Sequence, residues 1–459
     1  MREHSSPIPV PSRPSVRRAR SASTQRPSPA ELDAITGNRD RVVDLIRLTS
    51  LIVVIAGHSL MLTVSVHDGR VTLGNTLSDV PILQPMTWLL QILPLFFFAG
   101  AAASTYGWRP DSSPGQWLLC RAQRLFRPVA WYLATVLTAY AVCTSIGASA
   151  VADVVAHLGV QLLWFLGAYV LVLAAVPALQ RLSSRRAVLV ATAVTWTVTA
   201  GVDVTRLAVG ASGLGYVNFL SVWIIPAILG VAYAKRLFTR FEAAVLGLVA
   251  LIIDILLVSL GPYEMSLVTV PGQHLSNMSP PSLLLAGHTV VLCAFAIVLR
   301  TPLARVVAHP RVWWWVALGN RGAMTLYLWH LPVLGAIIGV AHLCGFTRDP
   351  QSALFWPTVV VTTMLLLAAM VPVTGVLSVL ENRRLPWWDE PLARATTTCR
   401  DVAVLVLLAV VAVSTLLVAR GGIVEEWGWL ASGICAAAGA RAVAAVSRST
   451  TLDRSHHVH

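Results

Sequence analysis

Apolar runs of the length that crosses a bilayer recur along this chain from residue 42 to residue 446, and no soluble fold has a use for so many. One crossing needs about 20 predominantly apolar residues. Such runs lie near 42–66, 83–106, 129–147, 157–178, 187–202, 217–234, 242–261, 282–300, 322–342, 354–380, 402–419 and 427–446. The fifth is short, and the last is interrupted by Gly428, Gly433 and Gly439. The pattern predicts an all-α, polytopic integral membrane helical bundle with about 10 to 12 transmembrane helices. Composition agrees, because 459 residues that are 56% hydrophobic and 12% charged, with a mean hydropathy of +0.71, do not describe a soluble domain.

The net charge of +13 reads as topology. Lys and Arg are retained in cytoplasmic loops, and nine arginines precede or open the first run, up to Arg47. With the N-terminus inside, the cytoplasmic connections carry Arg109, Arg121, Arg124 and Arg127; Arg181, Arg185 and Arg186; Lys235, Arg236 and Arg240; Arg300, Arg305 and Arg311; and Arg383, Arg384, Arg394 and Arg400. The opposite loops carry only Arg70, Arg206, Arg348 and Arg420. This asymmetry predicts a multi-pass protein of the inner (plasma) membrane with a cytoplasmic N-terminus. No nucleic-acid partner is needed to explain the charge, since the basic loops lack interleaved aromatics or a binding module.

Residues 1–38 are rich in Ser, Pro and Arg and cannot bury enough apolar surface to fold. They read as a disordered basic cytoplasmic tail, and residues 448–459 as a second cytoplasmic tail. A cleaved signal peptide is not expected, because the first apolar run starts at residue 42 and outlasts a signal h-region. The six cysteines show no paired spacing and read as small core residues. The terminal His-His-Val-His reads as solvated tail, and no metal site is expected.

Inside the first run, "DLIRLTSLIVVIAGHS" carries Asp44, Arg47 and His58. Arg47 and His58 lie eleven positions apart, which leaves their side chains about 20° apart around a helix. Asp44 falls about 40° from His58 on the other side, so the three form one polar stripe. The rise from Arg47 to His58 is roughly 16 Å, which puts the arginine near the membrane boundary and the histidine near mid-bilayer. An ionisable residue at that depth is a functional candidate by default; the bland alternative is a histidine that fixes packing against a neighbouring helix.

"RVVDLIRLTSLIVVIAGHS" also resembles the first helix of the acyltransferase family 3 membrane proteins, which include O-antigen and Nod-factor acyltransferases. Their signature is an arginine, ten residues and a histidine, with an aspartate three before the arginine; Arg41, Asp44, Arg47 and His58 match it. "LPLFFFAGAAAS" from Leu93, "RLFRP" from Arg124, "LLWFLGAYVLV" from Leu162, "AMTLYLWHLPV" from Ala323 and "VLENRRLP" from Val379 are similar to later family segments in the same order. The resemblance spans about residues 39–385. It departs from the family at Ala99, Gly100 and Ala101, where a Ser-Gly pair usually follows the phenylalanines, and around Glu381, which a proline often follows more closely. The domain reading is therefore a membrane acyltransferase domain over 39–385 and additional C-terminal transmembrane helices over 386–447.

The resemblance implies O-acyl transfer from a cytoplasmic acyl-CoA to a hydroxyl of a carbohydrate, glycolipid or cell-envelope acceptor, with no permanently bound cofactor. Arg121, Arg124 and Arg127, expected in the cytoplasmic loop between the second and third helices, are candidates for the donor's phosphates, which guanidinium forks bind bidentately. His58 is the candidate general base, since histidine titrates near neutrality. Arg47 is expected to hold the donor, and Asp44 to orient Arg47 one turn away. His330 and Tyr327, on one face of a later helix, either line the acceptor path or pack; Glu381 is a supporting candidate. Trp313, Trp314 and Trp315 read as interfacial anchors, and Ser276 to Ser282 as an external loop. A proton-coupled secondary transporter using His58 and Glu381 is the alternative, but transporters are often built from repeated halves and the Asp-Arg-His pattern occurs once.

Overall fold

The computed structural model describes residues 39–67, 70–210, 212–390, 392 and 397–445; both expected tails lie outside them. The protein is a polytopic helical membrane bundle. Eleven of its described helical segments are long and apolar enough to cross a membrane, and a pair bent by 56°, Leu283–Val298 with Arg300–Ala308, makes twelve when counted as one span.

Helix α1 (Arg41–Met61) starts where the Asp40 carboxylate accepts hydrogen bonds from the Val42 and Val43 amides. It stops where the β-branched residues Thr63, Val64 and Val66 begin. There the first apolar run does not stay helical: β1 (Leu62–His67) pairs antiparallel with β2 (Arg70–Asn75), Leu62 opposite Asn75. The second run is also broken. A 3-10 turn at Pro81–Met86 and a short helix at Thr87–Leu90 precede α2 (Leu93–Tyr106), because Pro85 and Pro94 each remove an amide donor.

The third run begins well before residue 129. Ser113 caps α3 (Pro114–Ser145), with proline at the first helical position, so Arg121, Arg124 and Arg127 stand on a helix and not in a loop. There follow α4 (Ser149–Gln161), α5 (Leu163–Leu179), α6 (Arg185–Val209) and α7 (Asn218–Ala234). The short fifth run thus belongs to a full-length helix, which ends at Gly210 with φ of 70°. Next come α8 (Arg240–Leu260), α9 (Leu283–Val298), α10 (Arg300–Ala308), α11 (Pro310–Arg321), α12 (Ala323–Leu343) and α13 (Phe355–Glu381). The last two are α14 (Thr398–Gly421) and α15 (Trp427–Ala445).

Contacts distinguish the two ends of the bundle. At the basic end, Asp40 accepts from Tyr106 Oη at 2.9 Å and meets Arg300 at 3.5 Å, and Arg127 pairs with Asp389 at 3.3 Å. At the hairpin end, the Val64 amide donates to the Arg348 carbonyl, Asn75 to the Thr269 carbonyl and the Leu267 amide to Thr87 Oγ1. Between them, Phe97 stacks on Trp223 with centroids 4.8 Å apart, and small residues admit close helix contacts. At Gly167 a side chain would collide with the Ala412 carbonyl, so α14 lies directly on α5.

Candidate active site

α1 and α12 meet at two histidines. His58 Nδ1 lies 2.8 Å from His330 Nε2, and His330 Nδ1 lies 2.7 Å from the Tyr327 carbonyl oxygen. A carbonyl only accepts, so His330 Nδ1 carries a proton and donates it; in the neutral pair His330 Nε2 is then the acceptor, and His58 Nδ1–H is the donor. That leaves His58 Nε2 as a bare lone pair. The ring planes are 10° apart, with centroids 5.1 Å from each other. His330 is fully buried while His58 is half-buried, and His58 borders a cavity of about 780 Å³ on its hairpin-end side. Gly57 borders the same cavity and has nothing within 4 Å of where a Cβ would stand.

The neighbours of the pair are held in place. Tyr327 Oη donates to the Leu162 carbonyl, and its ring packs on Phe165 with centroids 5.3 Å apart. Ser59 Oγ meets Thr363 Oγ1 at 2.8 Å, tying α1 to α13. Glu381 is buried and accepts from Thr325 Oγ1 and from Trp329 Nε1 at 2.7 Å, so it fixes the start of α12, one residue from His330 but through another face. On α1, Asp44 is buried and its carbonyl accepts from Asn320 Nδ2 at 2.8 Å. Arg47 turns to the Phe96 ring, Cζ to centroid 5.9 Å, and its Nε is buried without a hydrogen-bond partner among the described residues.

A family model described as an acyltransferase domain matches residues 40–378. The chain belongs to the acyltransferase 3 family. No curated protein and no solved structure matched the chain. Asp44, Arg47, His58, Tyr327 and His330 of this membrane acyltransferase fall inside the matched range. Glu381, α14 and α15 lie beyond it.

The three arginines of α3 in the acyltransferase have different surroundings. Arg121 lies over the Trp117 ring at 3.7 Å, Arg127 is engaged by Asp389, and Arg124 is exposed. A second basic group, Arg236, Arg240 and Arg300, surrounds a recess of about 80 Å³ beside Tyr233, whereas the sequence alone marks these residues only as topological. The arginines that break the charge asymmetry also take up particular positions, and in the sequence their signal is that they are exceptions. Arg206 is buried against Asp203 at 2.9 Å. Arg348 is buried and donates to the Ser59 carbonyl next to His58, and burial lowers its pKa to about 10. Arg420 lines the cavity.

Proposed function

We propose that this acyltransferase sits in the inner (plasma) membrane with its basic end in the cytoplasm, and moves an acyl group from acyl-CoA to a hydroxyl of a carbohydrate, glycolipid or cell-envelope acceptor. The arginine asymmetry supports the orientation. The observation that carries the chemistry is the chain Tyr327 carbonyl, His330, His58, with its free nitrogen on a residue that borders the cavity.

In this reading the acceptor occupies the cavity, and His58 Nε2 takes the proton from its hydroxyl. The oxygen attacks the thioester carbonyl, the tetrahedral intermediate collapses, and the departing thiolate takes the proton back from His58. While His58 is an imidazolium its Nδ1–H still points at His330 Nε2, so the positive charge forms against a fixed acceptor and no side chain has to move. Arg47 and the basic residues of α3 are the groups for the phosphates and pantetheine of a donor arriving from the cytoplasm, and Asp44 supports the start of α1. Tyr327 and Glu381 position α12. Acylation of His58 Nε2 itself is the two-step variant, and label retained on the protein from labelled donor without acceptor would reveal it.

The test is mass spectrometry of envelope glycans and glycolipids from cells lacking the gene and complemented with wild type or His58→Ala. An acyl increment should vanish without the gene, return with wild type and stay absent with His58→Ala. Identical glycans in all three would contradict the reading.

A further inference from the structure

One wall of the cavity comes from α14, outside the range that matches the family. Val413, Leu416, Leu417 and Arg420 line it, a spacing of three, four and seven positions that forms one helix face. Gly167 lets this helix lie on α5, so the stripe is held against the cavity. Arg420 ends the stripe at the hairpin end. Among the described lining residues it is the one Lys, Arg, Asp or Glu side chain.

Arg420 is also uncommitted. Its Cζ lies 4.8 Å from the centroid of Tyr216, a second lining residue whose ring stacks on Phe219. Among the described residues no carboxylate forms an ion pair with it. A guanidinium lying on an aromatic face keeps its in-plane N–H groups for an anion. Of the other arginines at this end with described side chains, Arg206 pairs with Asp203 and Arg348 donates to the Ser59 carbonyl, and neither lines the cavity.

We propose that Arg420 is the specificity-determining residue of the acceptor subsite, binding a phosphate on an amphiphilic acceptor whose apolar part lies along Val413, Leu416 and Leu417. This deepens the reading above and rests on it. The remaining lining is apolar around Trp164, Phe219 and Leu90, with Asn75, Gln91 and Thr269 as polar points for sugar hydroxyls. A lipid-linked glycosyl phosphate satisfies all three kinds of surface; a free sugar phosphate leaves the apolar wall unused.

The experiment uses the full chain in neutral phosphatidylcholine nanodiscs and saturation binding of labelled decyl phosphate, competed by decyl maltoside, glucose 1-phosphate and inorganic phosphate. Arg420→Gln should weaken decyl phosphate at least about 10-fold, the loss expected for a charged hydrogen bond, and leave decyl maltoside competition unchanged. Arg420→Lys, which keeps the charge and controls for folding, should fall between the two. Inorganic phosphate and glucose 1-phosphate should compete at least about 10-fold less well than decyl phosphate, because they forfeit apolar burial. Unchanged binding in Arg420→Gln, or equal weakening of the phosphate and the maltoside, would overturn the assignment; equal competition by inorganic phosphate would overturn its lipid-linked part. A transfer assay on the wild type run beside this titration separates the two claims: Arg420-dependent binding without any transfer by wild type would sink the acyl-transfer reading and leave the subsite standing.

Discussion

α1 and α9 each carry a histidine within an apolar run, and their surroundings are opposite. His58 is bonded through Nδ1 to His330, borders a cavity of about 780 Å³ and keeps one nitrogen free. His288 is buried, neither ring nitrogen has a hydrogen-bond partner among the described residues, and its ring meets the edge of Trp88 at 5.7 Å. Beside it, Asp254 of α8 fills the space where a side chain at Gly287 would stand, its carboxylate oxygens likewise without partners among the described residues. Depth alone makes both histidines functional candidates. Only His58 combines a fixed tautomer, an open lone pair and room for reactants, and acid–base chemistry needs all three.

The largest effect that would sharpen this contrast is on the pair itself. His58→Ala should slow acyl transfer by about 10²- to 10⁴-fold, measured as initial rate in nanodiscs on protein shown to be folded by size-exclusion chromatography. His330→Ala should cost about 10- to 10²-fold, and His330→Gln should recover part of it, because the amide oxygen can accept from His58 Nδ1–H. A wild-type rate for His330→Ala would reduce the second histidine to packing.

Next in size is Gly57→Leu. The position opens into the cavity, so the larger side chain should leave thermal stability unchanged and raise the acceptor KM by about 10-fold through lost volume. A lowered melting temperature with unchanged KM would mean that the acceptor binds elsewhere. The smallest effect belongs to His288→Leu, for which the transfer rate should stay within about 3-fold and the melting temperature should hold or rise, since a buried polar group without partners is removed. A loss matching that of His58→Ala would erase the distinction between the two helices.

The α1 stripe was legible because helical period converts the Arg47 to His58 spacing into a shared face with no tertiary information. His330 was legible as a candidate only, since its partner lies 272 positions away and nothing local encodes that approach. Hydropathy alone absorbed residues 62–66 into a membrane span; the β-branched residues there form a hairpin against Arg348 instead. It also placed the third helix late, because Arg121, Arg124 and Arg127 hid the Ser113 cap and Pro114 start behind a charged stretch. The Arg420 subsite escaped notice because charge asymmetry was read for its majority, while the exceptions carry the cost and so the information.

The most direct test of the central claim is the protonation of the two imidazoles. In reconstituted protein at neutral pH, ¹⁵N spectra assigned through His58→Gln and His330→Gln should show Nδ1–H and a lone-pair Nε2 on both rings. A proton on Nε2 of His58 would contradict the account, because that nitrogen could not then accept a proton from the hydroxyl.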